Sequence, residues 1–156
     1  MKTTRVALGW LIGTAFALQG CTLSVEGPGQ PGPPLSGTGA DGLLDREWAL
    51  RTMVFDGAEV ELEQGVTTTI QFTADGRFGG SGGCNSYSGS FVRDGSTISL
   101  GPAEATLMAC LVGGEQESAF FSALPQISAW EIGAGELRLS SADGRTVLTF
   151  EHGGGG

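Results

Sequence analysis

The chain has 156 residues, 28 of them Gly, with 40% apolar and only 16% charged side chains. That length suits one ordinary domain, the lack of a G-X-Y period excludes collagen, and the apolar share excludes a wholly disordered chain. Seventeen acidic against eight basic residues give a net charge of −9, which leaves no basic surface to neutralise phosphates and excludes nucleic acid as an expected partner.

The N-terminus opens with Lys2 and Arg5, followed by an uncharged, mostly apolar run from Val6 to Leu18. The run is too short to span ~30 Å of hydrocarbon as a helix, but it fits the apolar core of a secretory signal. It ends in Leu18-Gln19-Gly20-Cys21. Leu-x-Gly-Cys resembles the bacterial lipobox, in which cleavage leaves Cys as the new N-terminus carrying acyl chains such as palmitate, although Gln19 is a less usual occupant of its slot. Residues 1–20 are therefore expected to be a lipoprotein signal peptide and Cys21 the lipidation site. An ordinary secreted chain with an incidental Cys is the alternative. Acyl chains contribute ~0.8 kcal/mol per buried methylene and would hold the chain on a membrane with no transmembrane helix. Thr22 stands where an Asp marks inner-membrane retention in the enterobacterial pattern, so the expected location is the outer membrane, facing the periplasm.

Six Gly and four Pro fall between residues 22 and 45. Such a segment buries too little apolar surface to offset chain entropy, and residues 21–45 are expected to form the lipidated Cys and a flexible tether. The domain itself is expected over 46–152, with 153–156 as a Gly tail.

Within the domain, Asp-Gly pairs at 56–57, 75–76, 94–95 and 143–144 mark tight turns. The runs between them alternate with period two: Trp48 and Leu50; Val66, Thr68, Ile70 and Phe72; Tyr87, Gly89 and Phe91; Ile98 and Leu100; Trp130 and Ile132; Leu137 and Leu139; Thr146, Leu148 and Phe150. This is the signature of half-buried strands. Glu115 to Leu124 instead places Ala119, Phe120, Ala123 and Leu124 at helical spacing, with acidic residues at its start and Pro125 at its end. The fold class is thus α+β, mainly antiparallel β, a curled meander with one short helix near 115–124. Pattern alone does not decide whether the sheet closes.

With Cys21 assigned to the anchor, Cys84 and Cys110 remain as an even pair in an oxidising compartment. A disulfide is the default there, and two buried thiols are the alternative. No metal or other cofactor is expected: the lone His152 sits at the end of the chain and neither Cys has a CxxC companion. The same shortage leaves a nucleophilic Cys or Ser without a base, so the chain does not read as an enzyme. Gly79-Gly80-Ser81-Gly82-Gly83 lacks the Lys-Ser/Thr ending of a phosphate loop and precedes a strand-like run. It reads as a bend, a bulge or a close backbone approach, with Asn85 bonding backbone at the corner.

Trp48-x-Leu50, Ile70-Gln71-Phe72-Thr73-x-Asp75-Gly76, Gly83-Cys84-Asn85-x-Tyr87-x-Gly89, Thr106-x-Met108-Ala109-Cys110, Phe121-x-x-Leu124, Leu137-x-Leu139 and Leu148-Thr149-Phe150 follow one another in the chain. This series resembles the META domain family, that of HslJ-like heat-shock-associated lipoproteins. The resemblance implies a compact, mostly antiparallel β domain with helical packing, comparable to the cracked, partly open barrel of secretin pilot lipoproteins. It implies that Cys84 and Cys110 are the family's paired positions, with Trp48, Gly83, Asn85, Thr106 and Met108 as further motif residues. It carries a stress-related context and no established catalytic residue. The expected function is that of a non-catalytic envelope lipoprotein with a monomeric domain, binding or assembling an envelope protein or an acyl chain. The alternative is an inhibitor of a basic periplasmic enzyme such as lysozyme, suggested by Asp56, Glu59, Glu61 and Glu63, the last three expected on one strand face.

Overall fold

The computed structural model describes residues 42–153, all within one compact unit; Cys21, the expected leader, the expected tether up to Asp41, and residues 154–156 lie outside the described residues. Ten strands and one helix follow in order: β1 Glu47–Phe55, β2 Ala58–Val60, β3 Thr69–Phe72, β4 Arg77–Ser81, β5 Ser86–Asp94, β6 Thr97–Leu100, β7 Glu104–Ala105, α1 Gly114–Ala123, β8 Ile127–Gly133, β9 Glu136–Ser141 and β10 Val147–His152. A 3₁₀ turn over Leu124–Gln126, with Pro125 inside it, joins α1 to β8.

Eight strands close into a barrel. Their order is β1-β3-β4-β5-β6-β8-β9-β10, and β10 pairs back onto β1 from Trp48↔His152 to Val54↔Val147. β2 extends the free edge of β1, and β7 adds to β5. The partly open barrel suggested by the resemblance is therefore corrected to a closed one. The physical reason lies in β1, whose edge away from β3 and β2 is taken up by the last strand, leaving no open seam between first and last strands. The thinnest seam is β6–β8, with one registered pair, Thr97↔Ala129. There the Trp130 N–H also donates to the Ser96 carbonyl at 2.9 Å.

Alternation fills the interior. Tyr87, Gly89 and Phe91 of β5, Ile98 and Leu100 of β6, Leu137 and Leu139 of β9, and Leu148 and Phe150 of β10 all point inward. β1 keeps this alternation across a bulge at Arg51, where Leu50 pairs with Phe150 and Thr52 with Thr149. The extra residue lets Trp48, Leu50 and Met53 all face the core although Met53 is three positions beyond Leu50. Trp130, expected with this set, is only half-buried: its Nε1–H donates to the Gly95 carbonyl and the Arg93 guanidinium lies 5.5 Å from its ring centre. From α1, Phe120 and Ala123 enter the core, followed by Leu124, and Phe120 packs edge-on against Tyr87.

Both ends of the domain reach further than composition implied. Leu43 and Leu44 are buried, the Leu43 carbonyl accepts from the Trp48 indole N–H, and the Asp45 N–H donates to the Phe72 carbonyl. The ordered core thus begins before the boundary expected at residue 46. At the other end the Gly153 N–H donates to the Glu47 carbonyl.

The turns divide into kinds. Asp56 and Gly57 both take positive φ, as expected for an Asp-Gly hairpin. Asp75 and Asp143 act through their side chains, accepting from the hydroxyls of Thr73 and Ser141, and these bonds hold both carboxyls below the usual range. The β8–β9 turn uses Ala134 at φ 54° before Gly135 at φ 85°, a conformation that disfavours an L side chain by ~1–2 kcal/mol. Ala134→Gly is expected to raise stability by ~0.5–1 kcal/mol after Gly's entropic cost, moving the urea midpoint without changing the slope.

Candidate functional site

Six of the seven family-motif residues converge on one corner, where the start of β5 meets the 106–112 loop and α1. Cys84 and Cys110 are bonded, with their Cα atoms 5.9 Å apart. Asn85, buried between them, is the hub. Its side-chain carbonyl accepts from the Thr106 hydroxyl at 2.9 Å and the Met108 N–H at 2.7 Å, and its amide donates to Glu117 Oε1 at 2.6 Å. Gly83 lies at φ 121° at the same corner. Trp48, the seventh, lies away from this corner in the barrel wall, its indole N–H on the Leu43 carbonyl, beneath the Arg46 guanidinium and edge-on to His152.

Glu117 is the residue that sequence reasoning missed. The sequence pattern makes it one of the acidic groups at a helix start, yet only 7% of it is exposed. Oε2 accepts from the backbone N–H groups of Cys84 at 3.1 Å and Asn85 at 2.6 Å, and Oε1 takes the Asn85 amide. Burial pushes its carboxyl up, but the Asn85 side chain and the two N–H groups outweigh this and hold it below the usual glutamate value. A signal existed: 117, 120 and 124 share one face of the helix, so a carboxylate falls on the apolar stripe.

The preceding residue extends the network. Gln116 accepts from the Glu63 N–H and donates to Thr68 Oγ1, whose hydroxyl donates to the Gly82 carbonyl. Gly82 explains part of the Gly-rich turn, since a Cβ there would lie 2.6 Å from Glu117 Oε2. Gly80 explains another part: a Cβ on it would lie 2.3 Å from the Thr69 carbonyl oxygen. Gly79, Gly80 and Ser81 lie in β4 and only Gly82 and Gly83 beyond it, so the run ends a strand, and of the expected readings the close backbone approach is the one the geometry supports.

Cys84, Cys110 and Glu117 bring their side-chain donor atoms within 4.8 Å of one another. Both sulfurs are tied in the disulfide, so no thiolate is available to a metal in the oxidised chain. The acidic stretch is arranged differently from expectation. β2 ends at Val60, so only Glu59 of the three glutamates lies on a strand. Glu61 and Glu63 instead line a shallow depression with Glu115 and Gln116. Cys21 falls outside the described residues.

The polar half of the corner faces inward, and the other half does not. Among the described residues, the large apolar side chains left exposed are Val92, Leu107, Met108, Leu111 and Val112. Four of these five belong to the loop that Asn85 and the disulfide clamp.

The META domain family model matches residues 41–154. The chain belongs to the META domain family. Among solved structures, this META domain is similar to a protein from Burkholderia xenovorans determined by NMR, with 24% identity, a TM-score of 0.61, and coverage of 81% of this chain and 94% of that one. It is also similar to a DUF4847 family protein from Bacteroides vulgatus, with 16% identity, a TM-score of 0.51, and coverage of 73% and 96%. A third NMR structure matches at 20% identity and a TM-score of 0.53, over 71% and 92% of the two chains. At these identities the likeness extends to the fold alone. No curated protein matches the chain.

Proposed function

We propose that this META-domain protein is a non-catalytic lipoprotein of the bacterial cell envelope, anchored through Cys21 and acting as a binding or assembly module in a stress-related setting. The observation that carries this reading is how the motif uses its polar groups. Asn85 and Glu117 direct their side chains to partners inside the fold, and what the motif loop turns outward is apolar. A catalytic site needs polar groups aimed at a substrate, whereas this arrangement favours a surface that is presented and held still. Storage of an acyl chain in the barrel is disfavoured because Trp48, Met53, Ile70, Phe72, Phe120 and Phe150 already occupy the interior.

A second reading, inhibition of a basic envelope enzyme, draws on Glu61, Glu63 and Glu115 around one depression. One experiment addresses both. The chain is isolated from its native envelope after crosslinking, its N-terminal peptide is weighed, and its captured partners are identified. An acylated Cys21, absent from a Cys21→Ala chain that leaves the membrane fraction, is the expected result. An unmodified Cys21 in the soluble fraction overturns the anchored reading. Capture of a muralytic enzyme, with slowed lysozyme turnover at low salt, selects the second.

A further inference from the structure

The loop that closes the motif corner has a composition unlike its surroundings. From Ala105 to Gly114 there is no charged residue, and its side chains include Leu107, Met108, Leu111 and Val112. Leu107 is 99% exposed and Leu111 100%, with Met108 at 60% and Val112 at 56%. Exposure of this kind usually accompanies a loose segment, but here the base is fixed. The Thr106 N–H donates to the Ser86 carbonyl, the Met108 N–H to Asn85, Cys110 is bonded to Cys84, and α1 starts directly after Gly113. The apolar side chains are therefore held outward at little further cost in order.

We infer that this loop is a membrane-docking knuckle, in which Leu107, Met108, Leu111 and Val112 seat at the headgroup–acyl boundary of the bilayer that carries Cys21. The inference rests on the reading of Cys21 as a lipid anchor. Three observations favour lipid over a protein as the occupant. Four side chains on one loop are far fewer than the roughly 20–30 residues a side that a stable protein interface uses. The loop itself offers no charge to pair with a partner, whereas the rest of the described domain carries 15 acidic and 6 basic residues, hence −9, and charge of that size favours water over lipid for the surfaces that carry it. Finally, the described residues begin at Gly42, and 20 residues of chain separate it from Cys21. Twenty residues reach at most about 70 Å. A domain of this size is about 35 Å across, so the chain length lets this face turn to the bilayer. The anchor keeps the loop at high effective concentration beside the membrane, so four side chains suffice.

The test uses the mature, acylated full chain in phosphatidylcholine vesicles whose acyl chains carry bromine. Leu111→Trp adds a fluorophore on the loop, and Val92→Trp adds one at an exposed apolar position on β5, each signal being read as the difference from the parent chain, whose Trp48 and Trp130 also emit. The Leu111→Trp signal is expected to shift to the blue and to be quenched about threefold more than that of Val92→Trp, and adding Leu107→Asp should abolish the difference. Leu107 is fully exposed, so a thermal unfolding scan should show the fold unchanged by that substitution. Equal quenching at the two positions, or none at Leu111→Trp in a chain whose acylation is verified by mass, overturns the proposal. So does a blue shift that appears only when envelope proteins replace the vesicles. A native chain with unmodified Cys21 overturns the anchor instead, and the two failures are told apart by the mass.

Discussion

Replacing Cys84 and Cys110 together by Ser is expected to lower the unfolding free energy by about 3–4 kcal/mol. The bond joins residues 26 apart, and in the chain-entropy account its loss returns that loop's freedom to the unfolded chain. The native state changes less, because Asn85 still holds Thr106 and Met108. The check is guanidinium unfolding of wild type with and without reductant, beside the double variant. Reduced wild type should coincide with the variant, both well below the oxidised protein. A difference under about 1 kcal/mol would mean that the corner is held by its hydrogen bonds alone. Limited proteolysis gives a local readout, with new cleavage beside Leu107 and Leu111 in the reduced chain before the barrel opens.

Glu117→Ala is expected to cost about 3 kcal/mol, comparable to the disulfide. It strands two backbone N–H groups and the Asn85 amide at a buried corner, each previously bonded to an ionised oxygen. Glu117→Gln is the sharper probe, since one of its two terminal groups is a donor facing donors. The pH dependence has a definite sign. Glu117 is held below its unfolded value, so its contribution is full at neutral pH, above the unfolded pKa of about 4.3, and fades as pH falls through the lower folded value. The gap in stability between wild type and Glu117→Gln should therefore be largest near pH 7 and shrink on acidification. Taking this gap removes the separate acid sensitivities of Asp75 and Asp143, which both proteins share. A gap that stays constant or widens below about pH 4 would show that the carboxylate is not the stabilising form.

Seven of the ten strands were legible because each alternates against a single apolar interior, and a period-two pattern such as Tyr87-x-Gly89-x-Phe91 survives any arrangement of neighbours; the short β2 and β7 and the Gly-rich β4 carry no such alternation and were not. The helix was legible at 115–124 against the observed Gly114–Ala123, since its apolar spacing and Pro125 are both local signals. Most of the motif corner was legible as residues: Gly83, Cys84, Asn85, Thr106, Met108 and Cys110 meet there. What joins them was not. Glu117 reads as an ordinary acidic residue at a helix start until the helix is laid against β5, and Leu43 and Leu44 read as part of a Gly/Pro segment until Trp48 and Phe72 are there to receive them. Trp130 failed in the other direction, since alternation placed it inside while the bulge before Ala129 and the single-pair seam to β6 left it half-buried.

The amino-acid sequence by itself determined the class of the domain, its turn-rich antiparallel strands, its one helix, its acidity and its motif residues. All but the motif residues, which rest on the resemblance to the META family, depend on local periodicity and composition, which no distant contact alters. Tertiary structure alone decided that the sheet closes, that one carboxylate is buried with three donors, and that an apolar loop is held outward. Each of these is a relation between segments distant in the chain: β1 with β10, α1 with the start of β5, Cys84 with Cys110. A one-dimensional pattern records which side of its own strand or helix a residue occupies. It does not record what lies across from that side.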